Sequence, residues 1–127
     1  RGYLDLAEGR IKADQTIDTP IDTRRRPQDK PLMKSATTRI GNVKTFDQLS
    51  LIQCWPRTGR WHQIRLHLAA AGHPIAGDRQ HGSSIRFPRL ALHSFQARFK
   101  HPMTGRDMDF SSALPAELEE LLQNPAQ

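Results

Sequence analysis

Apolar residues recur along this chain in two rhythms, one of period two and one near 3.6, and these divide it into segments. Tyr3, Leu4 and Leu6 open the chain in strand-like fashion, with residues 1–5 reading as a truncated strand. From Leu6 to Lys34 the pattern breaks. Asp14, Asp18, Asp22 and Asp29, the run Arg24-Arg25-Arg26 and the prolines Pro20, Pro27 and Pro31 predict a long, loop-rich segment over 6–34. Two stretches rich in Thr, Ile, Val, Leu and Trp follow, Ala36–Val43 and Leu49–Trp55, separated by polar residues 44–48; they predict an antiparallel pair of strands. After Pro56 the rhythm changes. Trp61, Ile64, Leu68 and Ala71 recur at helical spacing, Thr58 is placed to cap, and Gly72 sits where a left-handed helix end favours glycine, so Gly59–Ala71 is predicted to be a helix.

Residues 73–78 read as a short extended segment and turn, followed by a loop at Gly82-Ser83-Ser84. In Leu90–Lys100, His93, Phe95, Ala97 and Phe99 alternate with Ser94, Gln96, Arg98 and Lys100, as in a half-buried strand with a basic face. Pro102-Met103-Thr104-Gly105 predicts a turn and 107–112 the returning strand of a hairpin. Pro115, with Glu117, Glu119 and Glu120 near the positive end of a helix dipole, predicts a short C-terminal helix through Leu122, leaving 123–127 as a tail.

Composition narrows the setting. The chain has 127 residues, of which 36% are hydrophobic, enough for one modest core. Its formal net charge is +6, and the excess lies between Gln48 and Phe110, where nine Lys or Arg face three acids. A cationic excess on the ordered part points to a polyanionic partner, since neutralising phosphates supplies most non-specific affinity for nucleic acid. The single cysteine, Cys54, excludes an internal disulfide and reads as a small core residue. No apolar run approaches a membrane span and no signal-peptide pattern is present, so a cytoplasmic location without membrane contact is expected. The chain begins at Arg1 without Met, directly in strand-like sequence, which suggests a piece of a longer domain.

The densest candidate chemistry is Arg57-Thr58-Gly59-Arg60-Trp61-His62-Gln63-Ile64-Arg65-Leu66-His67. Helix-start amides and guanidinium forks both bind anionic oxygens, so a phosphate or carboxylate site is natural here, although a solvated basic helix face would carry the same residues. Arg65 falls on the face of Trp61, and a desolvated guanidinium requires a carboxylate or phosphate partner. Other residues read more plainly. The spacing of His62 and His67 gives no metal-ligand pattern, so no metal is expected; His73, His93 and His101 read as structural histidines. Asp78, after Gly77, reads as a turn residue or a helix-end partner rather than a general base. Trp61 is expected to pack with Ile64 and Leu68 more than to stack on a base. Arg24–Arg26 reads equally as a solvated loop or a reach towards an RNA backbone.

The run from Thr58 to Leu68, followed by Gly72-His73-Pro74-Ile75-Ala76-Gly77-Asp78, His81-Gly82, Arg89-Leu90-Ala91-Leu92-His93 and His101-Pro102-Met103-Thr104-Gly105, resembles the signature of the RluA-type pseudouridine synthases in order and spacing. Ile17-Asp18-Thr19-Pro20-Ile21 and Lys34-Ser35-Ala36-Thr37-Thr38 are weaker matches, and the Gly-Asp-x-x-His-Gly form is most similar to the branch that modifies uridine 65 of tRNA. The resemblance implies an α+β fold, a mixed and mainly antiparallel sheet with flanking helices, of which residues 1–127 would be the C-terminal portion of the catalytic domain, with 35–122 supplying sheet and helices. It also implies an RNA partner, tRNA before ribosomal RNA, and isomerisation of uridine to pseudouridine without cofactor. Arg65 matches the arginine that pairs with the family's catalytic aspartate, and Ile64 the apolar position packed beside it. By charge and by nearness to the matched motifs, Arg57, Arg60, Arg89, Arg98 and Lys100 are candidate RNA contacts.

One departure is decisive for this expectation: the His-Arg-Leu-Asp motif that supplies the family's nucleophile does not occur in the 127 residues. The family's tyrosine precedes an Arg-Gly matched by Arg1-Gly2, and Tyr3 falls after it. The chain alone is therefore expected to be inactive, and its exposed sheet edge could pair with a second copy. A non-catalytic RNA-binding module on the same scaffold is the alternative; a basic structural domain with no RNA role is the plainest one.

Overall fold

A computed structural model describes residues 2–12 and 14–83 and, beyond them, the strands at 94–95, 98–100 and 107–109. The strands are β1 (Tyr3–Glu8), β2 (Gln15–Ile17), β3 (Ile21–Asp22), β4 (Met33–Lys34), β5 (Thr38–Thr45), β6 (Leu49–Pro56), β7 (Ser94–Phe95), β8 (Arg98–Lys100) and β9 (Asp107–Asp109). One helix, α1 (Gln63–Ala70), follows β6, and a short 3-10 turn spans Arg79–His81. Five strands form one sheet in the order β2-β5-β6-β1-β7, with β3-β4 and β8-β9 as separate two-stranded ribbons. The paired strands all run antiparallel. The expected α+β class with a mainly antiparallel sheet is thus observed.

β1 is an inner strand, and its burial shows why. Leu4, Asp5, Leu6 and Ala7 are all buried, so both faces are covered, and its register to β6 runs from Tyr3 opposite Cys54 to Glu8 opposite Leu49. The opening strand therefore extends three residues past the expected boundary at residue 5. β5 and β6 form from the two stretches rich in β-favouring residues, β5 lying two residues later than the expected Ala36–Val43; a bulge between Asn42 and Lys44 shifts their register before the turn. Ala7, Ile11, Ile40, Ile52 and Cys54 meet Ile64 and Leu68 of α1 and Ile75 beyond it. Burying each large aliphatic side chain stabilises the fold by roughly 1.5–3 kcal/mol, so this cluster is what seats α1 on the sheet.

The 6–34 segment is more ordered than a long loop. It contains the end of β1, the edge strand β2 paired to β5, and the β3-β4 ribbon. β2 escapes a reading by periodicity because it is an outer strand whose Gln15 and Thr16 are exposed: its backbone is satisfied by β5, and no apolar pattern is required. The chain after α1 returns to β1, with Glu8 N–H donating to Pro74 O, Ala76 N–H to Leu6 O, and Ile75 bridging Ala7. This is the expected extended segment and turn. His73 Nδ1–H donates to Glu8 O at 2.8 Å, the structural role expected of it. Gly9 permits that approach: at φ +88 it is left-handed, and a Cβ there would lie 2.7 Å from His73 Nδ1.

The single strand expected over Leu90–Lys100 is described as β7 and β8, and the expected hairpin appears as β8 paired with β9. The expected C-terminal helix 115–122, the tail 123–127, the turn at 102–105, and His93 and His101 lie outside the described residues. No helix among the described residues is long and apolar enough to cross a membrane.

Candidate active site

Between β6 and α1 the chain turns through Arg57-Thr58-Gly59-Arg60-Trp61-His62, and one side chain holds that turn together. Gln63 Oε1 accepts from Thr58 Oγ1–H at 2.6 Å and from Arg60 N–H at 3.1 Å, while its Nε2 donates to Thr37 O and to Thr38 Oγ1, both at 2.9 Å. Helix α1 accordingly begins at Gln63, four residues later than the expected Gly59. Thr58 does not cap it; its hydroxyl is spent on Gln63 and on accepting Thr37 N–H. The network continues inward through His67. Its Nε2 faces Thr19 O at 2.8 Å, and a carbonyl can only accept, so Nε2 carries the proton and Nδ1 accepts from Thr38 Oγ1–H at 2.8 Å.

The residue before the helix, His62, sits in the left-handed region at φ 56, a strained conformation for a non-glycine residue. Two contacts hold it: Trp61 stacks on its ring at 3.5 Å between centroids, and its Nε2 accepts from Arg65 Nη1 at 3.1 Å. The other nitrogen, Nδ1, is buried without a hydrogen-bond partner among the described residues. Loss of solvent, then the positive charge of Arg65 and of His81, lower the His62 pKa below the usual imidazole value, favouring the neutral ring.

Arg65 is the centre of the charged contacts. Its Nε donates to Asp78 Oδ2 at 3.0 Å and its Nη2 to Asp78 Oδ1 at 2.9 Å, a bidentate fork. Nη2 also reaches Gln80 Oε1 at 3.3 Å. With Nη1 serving His62, one Nη1 hydrogen is left uncommitted among the described residues. The Asp78 side chain is 1% exposed and that of Arg65 17%, so the pair is drawn well out of solvent but the arginine keeps one side towards the cleft. The sequence argument that Arg65 needs an anionic partner is met, and by a residue read as a turn former or helix-end partner: the backbone of Asp78 does serve the turn, accepting from His81 and Ser83, while its carboxylate serves Arg65 and caps no helix.

Tyr3, Pro56, Thr58, Gly59, Arg60, His62, Gln63, Ile64 and Arg65 line a cleft of about 370 Å³. That lies at the small end of the roughly 300–1,000 Å³ typical of ligand sites. Ile64, Pro56 and Tyr3 give the lining apolar surface, and Arg60 and Arg65 bring guanidinium groups to it. Such a lining suits a planar, polar heterocycle with an anionic group nearby. No cluster of His, Cys, Asp or Glu that could hold a metal ion occurs among the described residues.

The sequence profile described as RNA pseudouridylate synthase matches residues 1–70, which include the cleft lining and Arg65. The chain belongs to this family. It is 36% identical to the ribosomal large subunit pseudouridine synthase D of Nitrosomonas europaea, over 97% of this chain and 40% of that protein. It is 35% identical to an uncharacterized RNA pseudouridine synthase of Bacillus subtilis, over 98% of this chain and 43% of that one. The chain thus spans less than half the length of these curated relatives. Among solved structures, human RNA pseudouridylate synthase domain containing 1 superimposes with a TM-score of 0.64 over 99% of this chain and 66% of its own, at 22% identity, which establishes the shared fold.

Within this chain, Arg65 and Ile64 come together in the cleft wall, Ile64 at 6% exposure packing into the core on its other side. Arg60 also lines the cleft, its Nε tied to Ser35 O, and Arg57 is exposed just before it. Arg89 and the side chains of Arg98 and Lys100 lie outside the described residues. Trp61 corrects the packing expectation. It is 40% exposed and absent from the core cluster, because the late helix start puts it in the turn rather than on the buried face of α1. Tyr3 is the cleft residue that motif order alone passed over. The signal was the alternation of β1, since Tyr3 shares a face with Ala7, which packs in the α1 core cluster.

Proposed function

We propose that this chain provides the arginine side of a pseudouridine synthase active site acting on structured RNA. The observation that carries the reading is the Arg65 guanidinium, clamped by Asp78 and His62 at the wall of the cleft inside a sequence run matching the family signature. By that resemblance, an aspartate attacks the target uridine, the glycosidic bond breaks, and the base rejoins through carbon 5. Arg65, with the Nη1 hydrogen its other partners leave uncommitted, keeps that carboxylate ionised and oriented; Ile64 packs beside it. Asp78 is not the nucleophile, because both of its oxygens are engaged and its side chain is buried.

The nucleophile belongs to a His-Arg-Leu-Asp segment outside these 127 residues, so the chain alone is inactive. Arg57, Arg60, Arg89, Arg98 and Lys100 grip the RNA backbone around an extruded base. The Gly77-Asp78-Arg79-Gln80-His81-Gly82 form favours a tRNA target, whereas relatives named for the ribosomal large subunit favour ribosomal RNA. A pseudouridine assay on both RNAs, using the full-length protein, this chain alone and the full-length Arg65→Lys and Arg65→Ala variants, tests the reading. Product from the full-length protein only, lost in both variants, supports it, and the RNA that gains pseudouridine names the substrate. Activity of the short chain would place the nucleophile within it and overturn this assignment.

A further inference from the structure

The three arginines of the β3-β4 ribbon differ in what holds them. Arg24 is paired with Asp22 at 2.9 Å, and Arg26 makes a bidentate fork with Asp29 at 2.9 and 3.1 Å. Arg25, between them, has no carboxylate partner among the described residues. Its guanidinium lies over the Trp61 ring at 5.1 Å, within the range of a cation–π contact. Arg25 and Trp61 are both exposed, Trp61 at 40%. Trp61 in turn stacks on His62, whose ring lines the cleft and is fixed by Arg65. A cation with no carboxylate partner among the described residues, an exposed indole and a strained histidine therefore form one column from the ribbon to the cleft wall.

We propose that Arg25 and Trp61 form an RNA subsite beside the cleft, which takes one unpaired nucleotide flanking the target. The base stacks on the indole and the adjacent phosphate is taken by the guanidinium. This rests on the reading of the chain as part of an RNA-modifying enzyme. In the free protein Arg25 occupies the indole. An exposed cation–π contact is weaker than base stacking on tryptophan, so an incoming base displaces it and releases its fork to a phosphate oxygen. Arg24 and Arg26 cannot make that exchange without giving up a carboxylate. Because His62 holds Trp61 from below, the stacking surface is formed before RNA arrives, and little ordering is required on binding.

The test is equilibrium binding of the full-length protein to tRNA and to large-subunit ribosomal RNA over a salt series, with Arg25→Gln, Arg25→Lys, Trp61→Leu and Trp61→Phe variants, alongside a pseudouridine assay of the wild type. Arg25→Gln should weaken binding about five- to tenfold and reduce the salt slope by about one, as loss of one phosphate contact requires. Trp61→Leu should weaken binding by about tenfold with the slope unchanged, and Trp61→Phe should restore most of it, which separates stacking from misfolding. If the wild type forms pseudouridine while Arg25→Gln keeps the full slope and Trp61→Leu binds like wild type, the subsite is wrong and the enzyme reading stands. If the wild type neither binds nor modifies RNA, the enzyme reading fails and the subsite with it. Wild-type RNA affinity in both variants, together with loss of a protein partner, would assign the patch to protein recognition instead.

Discussion

The start of α1 has two sides that differ in how completely their polar groups are used. Inward, Gln63 and His67 are both buried, and each polar atom of their side chains has a partner: Thr58, Arg60, Thr37 and Thr38 for Gln63, Thr38 and Thr19 for His67. Outward, Trp61 is exposed and Arg25 faces an aromatic ring in place of a carboxylate. A fully satisfied network specifies one geometry, whereas incompletely used groups beside a cleft are available to a ligand. The inward side positions; the outward side receives. Arg65 joins them, tied to Asp78 and His62 yet keeping a donor.

Breaking the joint should have the largest effect. Replacing Arg65 by Met leaves the Asp78 carboxylate buried without its counter-charge, and removing one member of a buried pair costs about 3–5 kcal/mol. Because the arginine retains some solvent contact, a loss near ~3 kcal/mol is expected by urea unfolding. Asp78→Asn should cost less, since the amide oxygen still accepts one guanidinium hydrogen. Equal, negligible losses in both variants would mean that the pair orients Arg65 without stabilising the fold.

The inward network comes next. His67→Leu fills similar space but leaves Thr38 Oγ1 of a buried residue without its acceptor, and a buried unsatisfied group costs about 1–3 kcal/mol, whereas Thr19 O belongs to an exposed residue and can turn to water. The substitution should also loosen the cleft, because Thr38 is shared with Gln63, which holds the turn. A double-mutant cycle of His67→Leu with Thr38→Val checks this. A coupling energy near zero would show that the two groups do not act as one network.

These residues also mark what could be read from the chain. β5 and β6 were legible because buried strands draw on Ile, Leu and other β-favouring residues, here Ile40, Leu51, Ile52 and Cys54, and that composition shows in the sequence. Arg65 was legible through its place in the family-like run, while residue pattern alone left a solvated basic face equally open. Its partner was not, because Asp78 lies thirteen positions on and meets it only after the chain returns along β1. The helix start was misplaced for a similar reason: a local cap at Thr58 is visible in sequence, but the turn is held by Gln63 reaching Thr37 and Thr38 on β5. β2 carries exposed polar residues at Gln15 and Thr16, and the ribbon strands β3 and β4 are two residues each, too short for a periodic pattern.

Acid should act on the outward side. The folded-state pKa of His62 is lowered, so the unfolded chain binds its proton more readily, and stability contributed by the neutral ring is complete above the unfolded value near 6.5. It is lost as pH falls below that value towards the lower folded one. His62→Asn, which tolerates the left-handed backbone, should flatten the fall in unfolding free energy between pH 7 and 5 relative to wild type. The opposite sign applies to Cys54: burial first, then the Asp5 carboxylate beside it, push its thiol well above the ordinary range, so it should resist alkylation in the native state at pH 9 and react only on unfolding.

The smallest expected effect on stability is the one that most sharpens the contrast between the two sides. Trp61→Leu removes a large aromatic side chain, and in a core position that would cost several kcal/mol. Here the ring is 40% exposed and lies outside the core cluster, and its partners are a half-exposed imidazole and an exposed arginine. Exposed positions of this kind usually change stability by less than about 0.5 kcal/mol. Arg25→Gln should do no more, since it forfeits only a solvent-exposed cation–π contact. A melting temperature that stays put in both variants while RNA affinity falls would separate receiving from positioning. A large loss of stability in Trp61→Leu would instead make Trp61 part of the scaffold that keeps His62 in its strained conformation.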